Sequence, residues 1–231
     1  MRSIRTTARR AGALYFLFMI VGMVDMFGFT GFLIAGDATA TSHNVIAREL
    51  LYRVGILTDI GTLVLFLTLV VSLYNLFKGV DAWHAVLMVI LVSVGVAVGL
   101  ANLLTKIAPL VLLSGGDYLA AFGKPQLDAL VLGLLTLNGE GNTVAAYFWG
   151  LWLLPLGILV VRSGFVPRVL GFLLLLAGAA YLVSSFTSIV LPAYDEVVSR
   201  AVTPFLLGEF PIIFWLLIRG AKSPLPQPQS T

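Results

Sequence analysis

The chain has 231 residues, of which 59% are hydrophobic and 11% charged, with a mean hydropathy of +1.03. Soluble domains are roughly 45–50% apolar and about 25% charged, so water is excluded as the main solvent; at about 20 residues per span, six spans leave no room for a separate soluble domain. A net charge of +3 and a pI near 9.3 do not call for a nucleic-acid partner, because the basic residues sort by membrane side, and the absence of Cys excludes disulfides and thiolate metal sites.

Six apolar runs predict spans near 11–36, 53–77, 84–108, 144–161, 168–190 and 203–219, and backbone groups in lipid must pair within the segment, so each reads as a helix. The expected fold class is all-α: a polytopic membrane protein with six transmembrane helices in one bundle. The bundle forms a single domain over 1–220, followed by a Pro-rich tail over 221–231. Spans one to three and four to six would be inverted relative to each other, yet no residue-level match links the halves.

At the N-terminus, a basic stretch, an apolar run and the triplet Ala38-Thr39-Ala40 resemble a signal peptide, but the apolar run is too long and an uncleaved first helix is expected. Next, Thr41 or Ser42 is placed to cap a helix running through His43, Asn44 and Glu49 into the second span. There Arg48, Tyr52, Gly55 and Asp59 share one face, and Glu49 and Arg53 form an i, i+4 pair beside it. Between spans three and four, Leu127, Leu130, Val131, Leu134 and Leu135 make the stripe of an outer-side amphipathic helix opened by Pro125. It reads either as a lid or as a loop helix resting on lipid and bundle. In span six, Pro211 predicts a bend near Glu209 that leaves the Leu207 carbonyl free.

Lys and Arg placement gives the orientation. Arg2, Arg5, Arg9, Arg10, Lys78, Arg162, Arg168, Arg219 and Lys222 fall on one side, and Arg48, Arg53, Lys124 and Arg200 on the other. The first side is expected to be cytoplasmic, with both termini there and the protein in the cell inner membrane.

Ionisable residues in hydrocarbon cost at least about 2.5–3.5 kcal/mol, so each one needs a reason. At 1.5 Å per residue, Asp25 lies about 21 Å along the first helix, and Asp59 and Glu209 each lie about 9 Å from the outer ends of theirs. All three fall in the outer half, with Asn102 and Lys106 at the outer end of span three, while the inner half is nearly all aliphatic. The candidate pocket residues are therefore Asp25, Glu49, Arg53, Asp59, Asn102, Lys106 and Glu209. They would line an outward-facing polar pocket, or pair among themselves to hold helices in register. Gly95 and Gly99, and Gly22 and Gly28 around Asp25, read as helix-packing positions; Trp83, Trp149, Trp152 and Trp215 read as interfacial anchors.

No Walker loop, dinucleotide fingerprint or HExxH motif is present. His43 and His84 lie on opposite sides, so they cannot share a haem or metal, and no cofactor or metal is expected. No intramembrane serine nucleophile with a histidine at its depth is found.

Gly36-Asp37 through Thr41 running on to Glu49, Arg53 and Asp59 forms the first of four signatures in order. Trp149 to Gly157, Arg162 to Gly171, and Gly208-Glu209 before Trp215 to Gly220 are the others. Together they resemble the prokaryotic "domain of unknown function 4386" family, over about residues 8 to 220. The resemblance implies a bacterial or archaeal inner-membrane protein with six spans and no established activity, and it assigns no catalytic residue. It fits the reading of Arg162 to Arg168, from the residues themselves, as a fixed hairpin, with Gly164 at the bend and Pro167 opening the fifth span.

Three functions follow as expectations. The first is binding or transport of a small or lipid-derived ligand, by a homo-oligomer since six helices are few for a monomeric transporter. The second is a non-catalytic membrane partner or sensory subunit. The third is an intramembrane enzyme acting on a lipid through paired carboxylates. The lipid bilayer is the expected surrounding, with no nucleic acid.

Overall fold

A computed structural model describes residues 4–28 and 31–221. Arg2, Lys222 and all but Ala221 of the expected tail over 221–231 lie outside the described residues. Among the described residues every regular element is helical, and six helices are long and apolar enough to cross a membrane. The chain is an all-α, multi-pass membrane bundle. Large apolar side chains stand exposed along its helices, Met26 (68%), Leu57 (67%) and Leu104 (66%) among them, a distribution that suits lipid and not water.

The elements are α1 (Ile4–Gly28), α2 (Ala38–Ala47), α3 (Glu49–Phe77), α4 (Ala82–Leu112), α5 (Lys124–Leu151), α6 (Leu153–Ser163), α7 (Arg168–Val190), α8 (Asp195–Leu206) and α9 (Phe210–Phe214). The fifth span is where the hydropathy places it; three others need correction. The first helix, described over Ile4–Gly28, does not reach 36, since Gly31 and Gly36 take positive φ (78° and 77°), a conformation that ends a helix. Asp37, not Thr41 or Ser42, caps α2 by accepting from the Ala40 N–H at 2.8 Å. Thr41 instead closes the loop, accepting from Ile34 N–H at 3.0 Å and donating to the Asp37 carbonyl at 2.7 Å.

The fourth span also differs. Leu127 to Leu135 belong to the first half of α5, which continues to Leu151 and, past one irregular residue at Trp152, into α6. Pro155 explains the irregularity, because it cannot donate to the Leu151 carbonyl. The sixth span begins earlier than expected, at Pro192, and winds unevenly: α8, a 3-10 turn at Leu207–Glu209, α9, and a π-helical turn at Trp215–Arg219. Pro211 does interrupt the α-helix, but the Leu207 carbonyl is not left free; the tighter turn gives it the Phe210 N–H.

The described residues divide into two compact units. The first takes those of Met1–Phe18, Phe66–Gly95 and Ala146–Thr231. Its centre is a glycine seam where α5 and α6 meet α7 backbone to backbone. A Cβ on Gly157 would sit 2.9 Å from the Gly171 carbonyl oxygen, and one on Gly171 2.7 Å from that of Gly157. Gly150 and Gly178 repeat the relation at 2.9 Å each way. In lipid there is little hydrophobic drive between helices, so this closeness supplies the van der Waals contact that holds them. Gly12 on α1 likewise lets the helix lie against the backbone of Leu216 and Leu217, and Arg9 Nη2 donates to the Ile218 carbonyl at 2.9 Å.

Beside the seam, Trp152 is buried among Phe66 (centroids 5.1 Å apart) and Tyr15 (5.9 Å), so it is a core residue and not an interfacial anchor. Gly164, at φ 69°, ends α6 in the left-handed conformation and turns the chain into α7 through Pro167. Phe165 in that hairpin stacks on Phe77 at 5.5 Å.

The second unit takes Met19–Leu65 and Val96–Ala145. Phe32, Val45, Tyr52, Ile56, Val131 and Leu135 form its core. The stripe read as an amphipathic loop helix thus contributes Val131 and Leu135 to packing against α2 and α3. Arg48 donates to the Gly31 carbonyl at 2.5 Å and lies 4.4 Å from the centroid of the Phe32 ring, tying the loop to the start of α3. Gly99 lets Leu63 approach, a Cβ there being 3.1 Å from it, while Gly22 has nothing near it.

Candidate functional site

Three helices of the second unit bring ionisable side chains together. Asp59 sits on α3, seven residues and two turns beyond Tyr52 and on the same face. Tyr52 donates its hydroxyl to the backbone carbonyl of Lys106 at 2.6 Å, fixing α4 against α3. Lys106 then reaches Asp59, Nζ to Oδ2, at 2.5 Å, with the two side chains 19% and 17% exposed.

Asp25 on α1 is the third member. Its side chain lies within hydrogen-bonding reach of the Asp59 carboxyl and in the field of Lys106. Its Oδ1 is buried and, among the described residues, has no hydrogen-bond partner. Two carboxyls therefore face one ammonium.

Asn102, one turn before Lys106, is held in an amide network between α4 and α5. Its Nδ2 donates to the Asn138 carbonyl and to Asn142 Oδ1, each at 2.9 Å. Asn138 returns two bonds, to the Asn102 carbonyl at 3.2 Å and to Thr105 Oγ1 at 3.1 Å. Gly141 makes the space, since a Cβ there would run into the Asn102 amide.

The remaining candidates are not part of the charged cluster. Glu49 and Arg53 pair with each other at 2.7 Å, about half exposed, as a surface i, i+4 pair. Glu209 belongs to the first unit, where it sits in the 3-10 turn and accepts a hydrogen bond from the hydroxyl of the fully buried Tyr15, with Tyr181 in its field.

Sequence reasoning passed over three participants. Asn138 and Asn142 had a signal, an i, i+4 amide pair around Gly141, hidden because span four was begun at 144. Tyr15 had none, since one tyrosine in an apolar run reads as ordinary packing. A clasp around Asp81, itself outside the spans, was also missed: Asp81 binds the His84 backbone N–H at 3.2 Å, the His84 Nδ1 at 2.8 Å and the Arg162 guanidinium. The His84 N–H, its ring and Arg162 together hold the Asp81 carboxyl below its ordinary range.

An open groove is lined, among the described residues, by Phe122, Gln126, Ala129 and Leu130, none of them ionisable. Among the described residues no group of three or more His, Cys, Asp or Glu is placed to hold a metal ion. The chemistry the cluster offers is that of a proton or charged-group site: a carboxyl with an unused oxygen next to a carboxylate and an ammonium.

No curated protein and no solved structure matches the chain. A family model described as "Domain of unknown function (DUF4386)" matches residues 10–220, a stretch that takes in Asp25, Asp59, Lys106, the amide network and Glu209. This chain therefore belongs to the DUF4386 family.

Proposed function

We propose that this protein lies in the prokaryotic inner membrane with both termini in the cytoplasm, and binds or transports a small or lipid-derived ligand at the cluster of Asp25, Asp59 and Lys106. The excess of Lys and Arg at one set of helix ends supports the orientation. On that orientation the cluster lies in the outer half of the membrane. Six spans are few for a monomeric transporter, so a homo-oligomer is the working form.

The observation that carries the reading is the third charge. An ion pair between Asp59 and Lys106 is sufficient to join α3 to α4. Asp25 adds a second carboxyl with a buried, partnerless oxygen, in surroundings where an ionisable group costs at least about 2.5–3.5 kcal/mol. A register-holding ion pair does not account for it, and a ligand does.

The test uses purified protein in lipid nanodiscs, with unfolding followed by tryptophan fluorescence across a panel of ammonium, carboxylate, phosphate and sugar solutes. A solute class that raises Tm in the wild type and not in Asp25→Asn supports the site. A class that acts equally on both, or no class acting on the wild type together with no Asp25-dependent protonation, overturns it.

Two other readings each have an observation behind them. The pairing of Asp59 with Lys106 and of Arg53 with Glu49 favours a non-catalytic partner subunit, in which buried charges serve only the fold. The adjacency of Asp25 and Asp59 favours an intramembrane enzyme using paired carboxyls as acid and base.

A further inference from the structure

Resting on the reading of this cluster as a binding site, we infer that its occupant brings one positive charge, and that the Lys106 ammonium is a tethered stand-in for it. Asp25 and Asp59 supply two acids and Lys106 one base, and these are the charged groups that face one another from α1, α3 and α4. With all three ionised, the cluster carries one negative charge too many for a membrane interior. An anionic ligand would double the excess and a neutral one would leave it. A single positive charge removes it.

The donor set narrows the chemistry further. A divalent metal would meet the Lys106 ammonium only 2.5 Å from Asp59 Oδ2. A bare alkali ion wants several oxygen ligands, whereas the cluster brings together two carboxyls and one ammonium. What the site offers is acceptor oxygens for N–H or O–H donors, with the buried Oδ1 of Asp25 vacant. A proton and a protonated primary amine share that chemistry. Lys106 already makes the bond such an amine would make, on Asp59, while its main chain is fixed by Tyr52 and only its flexible stem has to move.

The experiment has one arm for each source of the charge. In nanodiscs, ethylammonium chloride is titrated against sodium chloride at equal ionic strength, with Tm as the readout. Ethylammonium is expected to raise Tm of the wild type, to act at an about tenfold lower concentration on Lys106→Met, and to do nothing to Asp25→Asn. Lys106→Arg, which keeps the tethered charge, should respond as the wild type does. In the proton arm, infrared difference spectra on acidification should show the carbonyl band of a protonated carboxyl that is missing in Asp25→Asn and retained in Glu209→Gln.

Success in the first arm identifies an amine, and success in the second alone identifies the proton; either supports the inference. Stabilisation by acetate or phosphate that depends on Asp25, with neither cationic arm positive, overturns the positive-charge inference and leaves the binding site standing. No solute effect and no Asp25-dependent carboxyl band overturns both. Wild type against Asp25→Asn decides between these outcomes even where Lys106→Met does not fold.

Discussion

The two units differ in what joins their central helices. In the first, α5 and α6 meet α7 where there are no side chains, Gly157 against Gly171 and Gly150 against Gly178. In the second, α3, α4 and α5 are joined by side-chain polar bonds: Tyr52 to the Lys106 carbonyl, Lys106 to Asp59, and the amides of Asn102, Asn138 and Asn142. Close backbone contact offers no group to a ligand. Polar bonds can be exchanged for others, and a membrane protein that must bind something polar has reason to build that part from them. The contrast separates a part fit for support from a part fit for chemistry.

The largest expected effect strikes the seam. Gly171→Leu drives a side chain into the Gly157 carbonyl and the Val161 side chain, and should cost about 3 kcal/mol or more, with detergent-solubilised protein losing its cooperative thermal transition. If Gly171→Leu unfolds with an unchanged midpoint, the seam is not what holds α6 to α7. A smaller effect is expected in the amide network. Asn102→Ala should lower stability by only about 0.5–1.5 kcal/mol, the range of interhelical hydrogen bonds in membranes, as read from the midpoint in a denaturing-detergent titration. A loss as large as that of Gly171→Leu would erase the contrast between the units.

The smallest effect belongs to the clasp around Asp81. The Asp81 carboxyl is held below its ordinary range in the folded protein, so the stability it contributes is present above the ordinary carboxylate value and is lost as pH falls through the lowered one. The wild type should therefore lose Tm on acidification below about pH 4, while Asp81→Asn should start lower and lack that acid limb. An identical acid limb in both proteins would show that other carboxylates carry it.

Much of this was legible in the sequence. Apolar runs gave six spans, and the fifth, bounded by Pro167 and the turn chemistry of Gly164, falls where it was expected. The misplaced boundaries share one cause, that hydropathy reads lipid exposure and not hydrogen bonding. Phe32 to Ala35 continue an apolar run after the helix has ended, whereas Asn138, Glu140 and Asn142 look like loop yet lie inside α5, where the amides find partners on α4. Depth arithmetic placed Asp25, Asp59, Lys106 and Glu209 in the outer half; the first three come together, while Glu209 pairs with Tyr15 in the first unit. Which cation Asp59 would choose was open between Lys106 and Arg53, and helix rotation decides it: Arg53 is four residues from Glu49 and takes that local partner. Tyr15 to Glu209, separated by most of the chain, left no trace in local pattern.

The sixth span ends in the π-helical turn at Trp215–Arg219. In the π-helical turn the Gly220 N–H reaches the Trp215 carbonyl, at 3.1 Å, one residue further back than in an α-helix. The turn therefore stores one surplus residue. Moving that surplus along the helix breaks and remakes backbone bonds one at a time, yet it turns each side chain it passes by about 100°. Trp215, Leu216 and Arg219 could be re-aimed in this way without α9 unwinding, a torsional slack that a uniform α-helix lacks.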